Sequence, residues 1–165
     1  SRDSLTGLLK HAAIKEMVDI EVARSRRKST PVTVGMLDID HFKTVNDRYG
    51  HAVGDLVISS VAMLLRQRLR HSDIVGRYGG EEFAIILPDT PIQDAYIAAE
   101  RIRETIESLR IKHEDHLIQF TMSFGMASFQ MEEGNTPGEL IKRADLALYQ
   151  AKNQGRNQCC VFGKT

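Results

Sequence analysis

Between His11 and Arg27 the apolar residues Ile14, Met17, Val18 and Val22 recur at three- and four-residue spacings, which predicts a surface helix with one buried stripe. Its C-terminal end is basic, as the helix dipole favours. Pro31 then introduces a short run, Val32 to Leu37, whose length and valine content predict a buried strand. A second long helix is expected to open at Gly54 and Asp55 and run to about Arg70, with Val57, Val61, Leu64, Leu65 and Leu69 on its apolar face. The segments Ile74 to Tyr78 and Phe83 to Leu87 both read as strands, and Gly79-Gly80 between them predicts a two-residue hairpin turn. Pro91 to Leu109 repeats the helical stripe through Ile92, Ala95, Ala98, Ile102 and Ile106. Ile118 to Phe129 reads as a strand bent at Gly125, Pro137 to about Asn153 as the last helix, and Cys159 to Phe162 as a final strand after Gly155.

After the first helix the order is strand, helix, hairpin, helix, strand, helix, strand. That order predicts an α/β (α+β) sandwich: a mixed, mostly antiparallel central sheet with a β-α-β-β-α-β palm-like core surrounded by helices. At 165 residues the chain has the size of a single domain, residues 1–165. Lys plus Arg equals Asp plus Glu at 22 each, so no basic excess recommends nucleic acid or an anionic membrane as a partner, and any anion site must be local. No apolar run is long enough to span a bilayer and Ser1 opens without a signal-like segment, so the expected location is cytoplasmic. The absence of an initiating Met suggests the output part of a longer regulated protein, one that upstream segments could anchor to a membrane. The only cysteines, Cys159 and Cys160, are neighbours, a spacing poorly suited to an ordinary disulfide or a zinc site.

Chemistry gathers at two places. Asp38 and Asp40 flank Ile39 at the end of the first strand, so in an extended backbone both carboxylates point one way while Ile39 offers its carbonyl. Glu81 and Glu82 stand at the tip of the hairpin. Magnesium takes one or two protein carboxylates and fills its octahedron with waters and substrate phosphates, which suits Asp38 with Glu81 and implies a phosphate-bearing substrate. Two ions about 3.5 to 4 Å apart would activate the attacking oxygen and stabilise the leaving one. Asp40 has an alternative role as the cap of a helix beginning near His41, and Asp55 as the cap of the second helix.

The run Leu37-Asp-Ile-Asp-His-Phe-Lys-Thr-Val-Asn-Asp-Arg-Tyr-Gly-His-Ala-Val-Gly-Asp55, with Arg77-Tyr-Gly-Gly-Glu-Glu-Phe83, closely resembles the GGDEF-domain diguanylate cyclases. The likeness extends to Asp3-Ser-Leu-Thr-Gly-Leu8, Thr121-Met-Ser-Phe-Gly125 and Ala147-Leu-Tyr-Gln-Ala-Lys-Asn-Gln-Gly-Arg-Asn157, essentially the full chain. The resemblance implies condensation of two GTP into cyclic di-GMP and pyrophosphate across a homodimer, with two Mg²⁺ ions per site and Mn²⁺ as an alternative. It implies Asp38, the Ile39 carbonyl and Glu81 as metal ligands, and Glu81 or Glu82 as the group that deprotonates the 3′-hydroxyl. Asn46 and Asp55 match guanine-reading positions, with His51 in the same loop. Phe42 and Lys43 match positions near the phosphates, Gly79 and Gly80 a close backbone approach to them, and Lys152 and Arg156 the triphosphate grip.

Arg70-His-Ser-Asp73 is separated from Gly79 by five residues, the spacing of the family's inhibitory product site, and Arg101 matches a second contact there. The expected inhibitor is cyclic di-GMP itself. Where the family often continues its opening motif with Asn-Arg, this chain has Lys10-His11, a departure expected to concern coupling to upstream segments rather than chemistry. The alternative to a cyclase is a catalytically silent receptor for GTP or cyclic di-GMP; intact Asp38, Glu81, Glu82 and Lys152 weigh against it.

Overall fold

Every side chain of the first strand, β1 (Val32–Ile39), is buried, which only the centre of a sheet covered on both faces can arrange. The computed structural model describes residues 1–129 and 136–164. Its elements run α1 (His11–Lys28), β1, α2 (Phe42–Tyr49), α3 (His51–Arg68), β2 (Ile74–Arg77), β3 (Glu82–Pro88), α4 (Ile92–Ser108), β4 (Ile111–His113), β5 (His116–Ile118), β6 (Met122–Ser128), α5 (Pro137–Asn153) and β7 (Cys159–Val161). The main sheet has the order β2-β3-β1-β6-β7, with β1 antiparallel to β3 and β6, and β7 parallel to β6. The expected mixed, mostly antiparallel sheet is observed.

Strand parity divides the core. Leu37, Ile39, Phe83, Ile85, Met122 and Phe124 pack with the buried faces of α3 and α4. Val32, Val34, Met36, Ala84 and Ile86 point the other way, onto Ile14, Val18 and Val22 of α1 and Leu140, Ala144 and Leu148 of α5. The stripe expected along His11 to Arg27 is therefore the buried face of α1.

Several boundaries differ from the expectation. The second helix begins at His51, and a separate short helix, α2, precedes it. With Val45 as its one fully buried residue, α2 shows no apolar stripe to read. The segment expected as one strand from Ile118 to Phe129 is divided: Ile118 closes a two-stranded β4–β5 hairpin, and β6 starts at Met122. The glycine hairpin is wider than a two-residue turn. Strand pairing ends at Arg77 opposite Phe83, the Tyr78 and Gly79 amides both donate to the Glu82 carbonyl, and neither Gly79 nor Gly80 has the positive φ that a type I′ turn requires.

An N-terminal turn closes against the edge of β2. The Asp3 carboxylate accepts from the Thr6 amide and hydroxyl at 2.8 Å each and from Arg77 Nη1 at 3.2 Å. Arg77 also donates to the Gly80 carbonyl at 2.7 Å, so one guanidinium ties this turn to the acidic loop.

At Gly125 of β6 the sheet and α5 approach closely. A Cβ there would lie 2.0 Å from the Leu148 amide nitrogen and 2.4 Å from the Ala144 carbonyl oxygen, both backbone atoms of α5. Gly125→Ala must push α5 off the sheet, and a destabilisation of about 3 kcal/mol is expected in urea unfolding, the upper range for overpacked sites. A loss under about 1 kcal/mol would show that α5 is free to move away.

Candidate active site

The register of β1 and β3 sets Asp38 directly opposite Glu82. Both follow the parity of Met36 and Ala84, so the two carboxylates face the α1–α5 layer. The Ile39 amide donates to the Glu81 carbonyl at 3.3 Å, which brings the acidic loop against the end of β1. Asp38, Ile39, Glu81 and Glu82 thus converge from segments far apart in sequence.

Lys152 of α5 donates its ammonium to Asp38, which is 7% exposed. Burial raises the Asp38 carboxyl above the usual carboxylate range, against the pull of Lys152. Burial raises Glu81 as well, followed by the repulsion of the Asp38 charge. Glu82 is raised by burial, then by the charges of Asp38 and of Asp145 on α5. Gly155, Arg156 and Asn157 take successive positive φ values of 114°, 63° and 48°, a tight backbone turn that brings the Arg156 charge to bear on Asp38.

Asp40 is not a helix cap. His41 is the residue that precedes α2, and it makes no side-chain cap. The Asp40 carboxylate instead accepts from Thr121 Oγ1 at 2.7 Å, Ser123 Oγ at 2.6 Å and the Asn157 amide at 3.0 Å, tying β1 to β6 and to the turn after α5. With both oxygens engaged, it has a structural role. Asp55 does not cap a helix either, because α3 starts a full turn before it.

A cleft of about 440 Å³ opens beside the acidic loop, on the α2–α3 side. Phe42, Lys43, Asn46, His51, Asp55, Gly80 and Glu81 line it, together with Ile58 and Arg77. Seven of the sequence-derived candidates therefore share one cavity. The Asn46 Oδ1 atom is buried with no hydrogen-bond partner, an acceptor waiting for a donor. Lys43 pairs with Asp47 at 2.8 Å in open solvent. Gly79 and Glu82 lie on the other side of the loop, where a Cβ on Gly79 would sit 2.6 Å from Glu82 Oε1.

Arg77 in this cleft and Gly54 behind Asn46 were not among the expected site residues. A Cβ on Gly54 would lie 1.9 Å from Asn46 Oδ1, so this helical glycine makes room for the asparagine. The signal was a glycine inside an otherwise good helix. Arg77, one residue before Tyr78-Gly-Gly, holds the loop through Gly80.

Among the described residues no group of three or more His, Cys, Asp or Glu side chains forms a metal-ligand cluster. Two carboxylates and a carbonyl fit a hard cation that completes its shell with waters and phosphate oxygens, and the mutual repulsion of Asp38 and Glu81 is what such a cation would relieve. Cys159 and Cys160 are buried free thiols, both raised by burial, which disfavours the thiolate.

Arg70 and Asp73 lie in a second cleft, of about 240 Å³, with Thr90, Asp94 and Ala98. Arg70 Nη2 donates to Asp73 Oδ1 at 3.0 Å, the Pro88 carbonyl at 2.9 Å and Thr90 Oγ1 at 2.6 Å. The Asp73 side chain is 3% exposed and that of Arg70 56%, so the guanidinium is the part offered to solvent. Arg101 is exposed on α4 and does not line this cleft.

A family model described as diguanylate cyclase, GGDEF domain, matches residues 1–158. The chain is 42% identical over 157 residues to the diguanylate cyclase DgcP of Pseudomonas aeruginosa, covering 94% of this chain and 23% of that protein. It is 41% identical over 164 residues to the response regulator PleD of Caulobacter vibrioides, covering 98% and 36%. The chain thus spans about a quarter to a third of these curated relatives. Among solved structures, the GGDEF domain of DgcB from Caulobacter crescentus, in complex with c-di-GMP, has a TM-score of 0.94 at 33% identity, covering 99% of this chain and 93% of that one. The active GGEEF domain of a diguanylate cyclase from Vibrio cholerae has a TM-score of 0.88 at 30% identity, covering 96% and 99%.

The raised carboxyls carry a prediction for the metal-free protein. A folded-state pKa above the unfolded value means that the folded chain holds the proton more tightly, so ionisation at neutral pH costs stability. Glu82→Gln is expected to raise the melting temperature near pH 7. The gain should vanish at a pH below the ordinary carboxylate range, where both states are protonated. Thermal melts followed by circular dichroism at the two pH values test this, and an equal effect at both would reject electrostatic strain at Glu82.

Proposed function

The chain belongs to the GGDEF-domain diguanylate cyclase family, and we propose that it joins two GTP molecules into cyclic di-GMP with release of two pyrophosphates. The observation that carries this reading is the juxtaposition of the Asp38, Glu81 and Glu82 carboxylates with a cleft that holds Asn46 and Asp55. No helix among the described residues is long and apolar enough to cross a membrane.

Each subunit binds one GTP, with guanine in the cleft. Asp55 accepts from guanine N1–H and the N2 amino group, donors that adenine lacks, and Asn46 brings both a donor and the unpartnered acceptor. A site built on such hydrogen bonds rejects the analogue that cannot complete them. Phe42 and Lys43 open α2 beside the phosphates, and Lys152 and Arg156 neutralise the triphosphate from the far side. Two divalent cations, Mg²⁺ or Mn²⁺, held by Asp38, the Ile39 carbonyl and Glu81, would supply Lewis-acid polarisation of the α-phosphate and of the attacking hydroxyl.

Two subunits meet about a twofold axis, so that each 3′-hydroxyl oxygen attacks the α-phosphorus of the opposite GTP. The O3′–P bond forms as the bond to the pyrophosphate oxygen breaks. Glu82, with Glu81 beside it, takes the hydroxyl proton; a carboxyl held above its usual range by burial is better matched to that task at neutral pH than an ordinary one. Arg70, with its guanidinium facing solvent, is the contact through which cyclic di-GMP restrains the enzyme, with Asp73 holding the fork in place and Arg101 as a second contact.

Incubation with GTP and Mg²⁺ should yield cyclic di-GMP at a specific rate that rises with protein concentration, as a transient homodimer requires. Asp38→Ala and Glu82→Ala should each lose at least about a hundredfold. Failure of the intact protein to form product at high concentration would instead favour a silent nucleotide receptor. Asn46→Ala should lower kcat/KM for GTP about tenfold, one charge-free hydrogen-bonding group's share, and Gly54→Ala should do the same by displacing that side chain. Arg70→Ala should weaken cyclic di-GMP binding with turnover preserved, and unchanged affinity would reject the inhibitory assignment.

A further inference from the structure

The α1–α5 face of the sheet carries a group that the mechanism above leaves unused. His11 is the first residue of α1, and its ring stacks on that of Tyr78, centroids 3.9 Å apart and planes 26° from parallel. Its Nδ1 lies 3.3 Å from the Tyr78 carbonyl oxygen. Tyr78 begins the loop that ends in Glu82: the Tyr78 and Gly79 amides donate to the Glu82 carbonyl at 2.8 and 3.2 Å. The Glu82 carboxylate folds back over Gly79, on the side of the loop that faces α1.

Its cross-strand neighbour Asp38 and the α5 residue Asp145 repel Glu82, while Lys152, itself engaged by Asp38, and His11 attract it. The side chain therefore depends on the loop beneath it, and on His11, for its place.

We propose that His11 is a positioning residue for Glu82: its ring clamps Tyr78, and with it the loop across which the Glu82 carboxylate lies. The inference rests on the reading of Glu82 as the proton acceptor. The consequence is mechanical. A shift or rotation of the α1 start moves the Tyr78 contact, and the effect reaches turnover rather than GTP affinity, because Glu82 does not line the guanine cleft.

The test uses His11→Ala, which removes the ring, and His11→Phe, which keeps a stacking ring without ring nitrogens. In His11→Ala, hydrogen exchange of the Tyr78 and Gly79 amides should quicken about fivefold, the scale of one aromatic contact, while the Val34 and Leu37 amides of β1 stay protected. The same variant should lose about fivefold in kcat with KM for GTP within about twofold of the parent. His11→Phe, which keeps the ring but not the attraction of His11 for Glu82, should match the parent in exchange. Unchanged exchange in His11→Ala, or His11→Phe exchanging as fast as His11→Ala, overturns the clamp. A parent that makes no cyclic di-GMP sinks the cyclase reading alone, since exchange still decides whether His11 braces the loop.

Discussion

Two carboxylates held opposite one another across a buried strand pair are the constraint on which the rest of the site depends. Asp38 and Glu82 are register partners on β1 and β3, and like charges placed so are destabilising. The sheet can hold them because β1 is covered on both faces and paired on both edges, which leaves no freedom to slip. A slip of a single residue would turn Asp38 into the α3–α4 core and Ile39 out of it. Lys152 offsets part of the repulsion, and burial, followed by the Asp38 charge, keeps the Glu82 carboxyl raised.

Strand parity also gives the site two sides. Asp38, Glu82 and Lys152 meet on the α1–α5 layer, whereas Glu81, Asn46 and Asp55 border the cleft on the α2–α3 side. The glycine loop passes between them, so adjacent acids serve different surroundings. Its attachments are few: Arg77 to the Gly80 carbonyl, the Ile39 amide to the Glu81 carbonyl, and His11 against Tyr78. Two of the three lead back to residues before β1, through Asp3 and through α1. Whatever holds the N-terminal turn also holds the loop.

Helix and strand existence were legible wherever the apolar period was long. The stripes of α1, α4 and the later part of α3 stood out because three or more turns of each face a core. The misses have specific causes. Helix α2 buries only Val45 and presents polar residues to a cleft, so no period betrays it. Ile118 ended a separate hairpin because the chain leaves that hairpin at Gln119 and joins the main sheet only at Met122, a choice made by packing rather than propensity. The glycine pair suggested a tight turn, yet the loop widened because the Glu82 carbonyl takes both the Tyr78 and Gly79 amides.

By itself the sequence determined the family and pointed to candidate residues: acids at a strand end and beside two glycines, and Asn46, His51 and Asp55, which share one cleft. Such information is local, since spacing along a strand or helix decides which side chains share a face. Only the tertiary structure decided that Asp40 ties β1 to β6, that Gly54 makes room for Asn46, and that His11 sits on Tyr78. Those contacts join residues distant in the chain or on different faces. Sheet register and helix packing, which no local spacing encodes, bring them together.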